Sequence, residues 1–79
     1  MKIRRTVIEE KESKVFLYEN RKEFFFLVAL PDYHWSDIVT YEDSHGDILE
    51  RMKQHFPMKL QPDTIESVAS QIYQWTREM

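Results

Sequence analysis

The chain has no cysteine and a single glycine, Gly46, among its 79 residues. Without cysteine there is no disulfide framework and no thiolate metal site. One glycine is too few for a phosphate-cradling P-loop or a Gly-x-Gly-x-x-Gly dinucleotide turn. The longest apolar run, Phe24 to Leu30, spans seven residues, far short of the ~20 that cross a bilayer as a helix. The opening Met1-Lys2-Ile3-Arg4-Arg5-Thr6 is not followed by the apolar core of a secretory signal. These absences predict a soluble cytoplasmic protein without a membrane segment.

That apolar run carries most of the information, because it does not alternate. A strand wet on one face alternates apolar and polar residues. Phe24-Phe25-Phe26-Leu27-Val28-Ala29-Leu30 contains no polar residue, so both faces need a dry partner. A chain this short makes one small domain over 1–79 and buries only about 60% of its unfolded surface. Domains of that size often rely on a disulfide, a metal or a second copy of themselves.

Segment 3–8 is rich in strand formers, and the charged Glu9-Glu10-Lys11-Glu12-Ser13 after it reads as a solvated loop. Val15 to Tyr18 resumes the β pattern. Glu19 to Lys22 then reads as a tight turn with Asn20 in the left-handed position. Phe24 to Leu30 is a third strand ended by Pro31, and 37–41 is a candidate fourth. The period then changes. Ser44 with Asp47 has the form of a helix cap, Ile48, Leu49, Met52 and Phe56 follow at helical spacing, and Pro57 stops the helix. Asp63 with Glu66 reads as a second cap, before a face of Ile65, Val68, Ala69, Ile72, Tyr73 and Thr76. The expected fold is α+β: a three- or four-stranded antiparallel meander with two helices on one face. On the third strand, Phe24, Phe26, Val28 and Leu30 should share one face, and Phe25, Leu27 and Ala29 the other.

No arrangement points to catalysis. The serines lack a nucleophile-elbow context, and no carboxylate pair sits in an inferable pocket, so neither catalytic residues nor a cofactor is expected. His34, His45 and His55 do not fall at helical metal spacing, and Asp43 and Asp47 beside His45 have nothing to fix their geometry, so no metal is expected either. Charge is segregated along the chain: residues 1–30 carry a net +2, residues 31–50 a net −6 and residues 51–79 a net +1. Asp32, Asp37, Glu42 and Asp43 are therefore a candidate acidic docking face, although Asp47 and Asp43 also suit a helix start. Arg4, Arg5, Lys14, Arg21 and Lys22 are a candidate basic patch interleaved with aromatics, as on sheets that bind single-stranded nucleic acid. A mildly acidic total of −3 makes nucleic acid the weaker of the two partners.

End to end, the chain resembles the YueH-like family of small proteins from Bacillus-type bacteria. The resemblance rests on Lys2-Ile3-Arg4, on Pro31-Asp32-Tyr33-His34-Trp35-Ser36, on Thr40-Tyr41-Glu42 and on Trp75-Thr76-Arg77-Glu78-Met79. It implies a cytosolic Gram-positive protein and brings no activity, ligand or catalytic residue with it. The function expected from the residues is a non-enzymatic protein-interaction module that self-associates through the helix-free sheet face. The alternative is a nucleic-acid-binding module using the basic hairpins. A lid formed by residues 31–43, with Tyr33, Trp35 and Ile38, would keep the protein monomeric instead.

Overall fold

Segments rich in β-branched and aromatic residues build four strands in the computed structural model, which describes residues 1–78. They are β1 (Lys2–Ile8), β2 (Lys11–Asn20), β3 (Phe25–Leu30) and β4 (Trp35–Thr40), followed by helices α1 (His45–His55) and α2 (Pro62–Glu78). The strands pair antiparallel in chain order, β1-β2-β3-β4, so the sheet is a simple meander. The fold is α+β, as expected.

Several local expectations need correction. The charged segment 9–13 is not a loop: Ile8 pairs with Lys11, leaving only Glu9 and Glu10 to turn the chain. Both have positive φ, 52° and 68°, as a two-residue turn matching the sheet twist requires. At the second turn, Asn20 is not the left-handed residue. Its Oδ1 accepts from the amides of Lys22 and Glu23, both at 3.1 Å, and Phe24 takes the positive φ of 60°. Phe24 therefore leaves the core face and is exposed. The fourth strand begins at Trp35 rather than near residue 37, after a short 3-10 turn at Pro31–Tyr33.

The first turn yields a prediction. Left-handed backbone costs a side-chain-bearing residue roughly 1–2 kcal/mol, and glycine almost nothing. Replacing Glu9 and Glu10 by Asn and Gly should therefore raise the melting temperature, at about 4–8 °C per kcal/mol for a domain this size. A lower melting temperature would mean the acids make contacts that outweigh their strain.

The first helix starts as its sequence suggests. Ser44 Oγ accepts from the Asp47 amide at 3.2 Å, and Asp47 Oδ2 accepts from the Ser44 amide at 2.9 Å, a complete capping box. The second helix starts differently, with Pro62 in the first turn. The Ile65 amide reaches back to the Gln61 carbonyl, so Gln61 takes the place expected for Asp63 and Pro62 occupies the first helical position, where its missing N–H costs nothing. Phe26, Val28, Leu30, Val15 and Leu17 from the sheet are buried against Ile48, Met52, Ile65, Val68, Ala69 and Ile72 from the helices. One sheet face is thus closed by helices.

A candidate docking surface

The strand registers define what the other face carries. One row across the sheet is Ile3, Phe16, Ala29 and Ser36; the next is Tyr18, Leu27 and Ile38. Paired residues on neighbouring strands point to the same side. Ile3 is 55% exposed, Tyr18 44%, Leu27 40% and Ile38 52%, and Phe16, Phe25 and Ala29 are half-buried among them. These side chains form a contiguous apolar stripe over all four strands. Residues 31–43 do not cover it. Trp35 and Val39 turn inward to the core, and Tyr33 packs on Phe56 with ring centroids 5.5 Å apart. The lid is excluded because Trp35 and Ile38 belong to β4 itself and Tyr33 packs on Phe56.

The candidate acidic residues separate into two kinds. Asp37 and Asp43 both hold Arg51 of α1: Nε donates to Asp37 Oδ2 at 2.8 Å and Nη2 to Asp43 Oδ2 at 2.9 Å. Asp43 also accepts from the Thr40 amide at 2.8 Å. Asp32 and Glu42 stay exposed in loops. Two of the four acids thus tie β4 to α1, and the other two stand alone. The candidate basic residues are also dispersed. Arg5 and Lys14 are cross-strand neighbours on the open face, whereas Arg4 lies on the helix side near Glu78, at 3.8 Å. Arg21 and Lys22 sit in the β2–β3 turn, roughly 20 Å along β2 from Lys14 at 3.3 Å per residue. Arg5 and Arg21 each have a glutamate within 4 Å, Glu12 and Glu19.

The Arg51 cluster gives a pH dependence. Burial works to raise the Asp43 carboxyl, but hydrogen bonds from Arg51 and the Thr40 amide outweigh it and hold the carboxyl below its usual range. A carboxyl held low in the folded chain contributes stability above its unfolded value, near pH 4, and loses it as pH falls through the folded value. Asp43→Asn should therefore cost roughly 1 kcal/mol at neutral pH, about 4–8 °C. The gap from the parent should close as the pH falls below the ordinary aspartate range and through the lowered folded value. A gap that stays constant across the titration would contradict a charge-based role.

The stretches of sequence at 40–42 and 75–78 meet in space. Arg77 donates from Nη1 to the Tyr41 carbonyl at 2.8 Å and from Nη2 to the Asp43 carbonyl, and its guanidinium lies 4.7 Å from the Tyr73 ring centroid. The Tyr41 hydroxyl donates to Glu19 Oε2 at 2.7 Å; that bond lowers the Glu19 carboxyl and raises the Tyr41 phenol. These contacts lock the end of α2 to the sheet. Thr76 lines the same cleft as Glu19, Tyr41 and Arg77, but its hydroxyl donates to the Tyr73 carbonyl at 2.8 Å, so the cluster reads as a structural clasp. The histidines are scattered. His34 follows the 3-10 turn, His45 Nε2 lies 2.8 Å from Ser70 Oγ, and His55 ends α1. Asp47 is committed to the cap and Asp43 to Arg51. Among the described residues no group of three or more His, Asp or Glu is placed to hold a metal ion, and no helix is long and apolar enough to cross a membrane.

Comparison with known proteins gives a family but no activity. Residues 2–78 match the family described as YueH-like protein. Over 82 aligned residues the chain is 34% identical to the uncharacterized protein YueH of Bacillus subtilis (strain 168), with all of both chains covered. No solved structure matches it significantly. The match runs through every element described above, from β1 to the clasp at Arg77, and the chain therefore belongs to the YueH-like family.

Proposed function

We propose that this protein is a non-enzymatic cytoplasmic interaction module that pairs with a second copy of itself through the helix-free sheet face and docks on another protein. The observation behind this reading is the stripe of Ile3, Phe16, Tyr18, Leu27 and Ile38, which none of the described residues covers. Several hundred Å² of apolar surface, at ~25 cal/mol per Å², corresponds to several kcal/mol if removed from water. That is comparable to the whole stability of a small domain. A twofold dimer buries the same stripe on both copies at once.

The absence of native cysteine makes the test clean. A single Ala29→Cys places a thiol in the middle of the stripe, and Ser67→Cys places one on the exposed side of α2. At low micromolar concentration a short bismaleimide should link Ala29→Cys into a covalent dimer and leave Ser67→Cys monomeric. Equal yields from both would reflect collision and remove the case for this interface.

One placement favours a second reading. Arg5 and Lys14 lie on the open face next to the row that holds Phe16, a combination of bases and aromatic that suits a single-stranded nucleic acid. Salt-dependent retention on a polyanion column would support that reading, because phosphate contacts release counterions. Flow-through at low salt would leave the protein-interaction module standing.

A further inference from the structure

The elbow between the two helices forms a half-open cavity of about 340 Å³, within the range of small-molecule sites. Its floor is core: Met52, Leu60 and Ile65 are at most 9% exposed. Phe56 and Met58 form its half-buried wall. Methionine is unbranched and polarisable, so a wall and floor containing two of them can adapt to a flexible chain. Pro62 completes the apolar lining, and what remains is cationic: Lys53 and Lys59, both exposed, with no carboxylate. These two are the unpaired cations of the C-terminal half among the described residues. Arg51 is held by Asp37 and Asp43, and Arg77 by two backbone carbonyls and the Tyr73 ring.

An apolar floor flanked by two lysines, with no carboxylate in the lining, is complementary to an anion that carries an alkyl chain. We propose that the elbow binds a free single-chain anionic amphiphile of the fatty-acid class. Its alkyl chain would lie over Met52 and Ile65, and its carboxylate would sit between Lys53 and Lys59. Charge-assisted hydrogen bonds to the head group supply selectivity, and burial of the chain supplies affinity. This site lies on the helix side of the molecule, so it is independent of pairing through the open sheet face.

A built-in reporter is available. The Trp35 ring packs on Phe56, a wall of the cavity, with centroids 5.5 Å apart, so in a Trp75→Phe background its emission reads occupancy. Decanoate below its micelle concentration should change that emission saturably and raise the melting temperature in step. Decyltrimethylammonium should do neither, and decanol should bind more weakly than decanoate. Lys53→Glu with Lys59→Glu alters only exposed positions; it should leave the fold intact by circular dichroism and weaken decanoate about tenfold or more. Absence of saturation would overturn the proposal. So would equal response to the cationic amphiphile, unchanged affinity in the double variant, or binding to phosphatidylglycerol vesicles alone.

Discussion

Ile72→Asp is expected to leave the chain unfolded at room temperature. Ile72 is fully buried in the middle of α2, among the residues that close the helix side of the sheet. A carboxylate there has no partner; it must either remain charged in an apolar surrounding or take up a proton, and both are costly. Loss of the apolar contacts adds several kcal/mol of its own. A small domain has only about 5–15 kcal/mol in total. Ser67→Asp, on the exposed side of the same helix, should shift stability by no more than about 0.5 kcal/mol. Circular dichroism melts of the two variants check this directly. Similar melts from both would mean that α2 presents a different face to the sheet.

The second large effect is expected at Leu27. It sits in the middle of the row Tyr18, Leu27 and Ile38, on a central strand, and is 40% exposed in the single chain. A lysine there can lay its stem along the sheet and hold its ammonium in water, so the monomer fold should survive. In a twofold dimer the same substitution brings two like charges into an apolar interface without partners. Leu27→Lys should therefore abolish self-association across the micromolar range while keeping the native far-UV spectrum. An unchanged oligomeric state in a folded Leu27→Lys variant would place the interface elsewhere.

Much of this architecture is legible in the residues. Ser44 and Asp47 announce the first helix, because a capping box is a local device that needs no tertiary contact. The face of Ile65, Val68, Ala69 and Ile72 likewise depends only on helical spacing, and all four are buried. The errors fall where turn chemistry and residue type disagree. Glu9 and Glu10 hold a turn that normally asks for Asn and Gly, so the hairpin was hidden behind a run of charge. Phe24 sits at a positive φ that a bulky residue rarely adopts. Read as strand, it joins the core face; in the fold, the turn carries it outside.

The exposed apolar stripe is only half legible. The unbroken apolar run identifies Leu27 and Ala29 as needing cover, because no alternation is possible without polar residues. Ile3, Phe16, Tyr18 and Ile38 become members only through register, which brings four distant segments into two rows. Register follows from turn length, and the charge of Glu9 and Glu10 conceals how short the first turn is. The partner of two of the acids is hidden for a related reason: Arg51 lies 14 residues after Asp37 and 8 after Asp43, and nothing local shows that it engages both.

The mass of the unmodified protein in solution tests the central claim most directly. Size exclusion coupled to light scattering at micromolar concentration should give twice the chain mass of 9.7 kDa. A mass of 9.7 kDa that persists as concentration is raised would contradict pairing through the open sheet face.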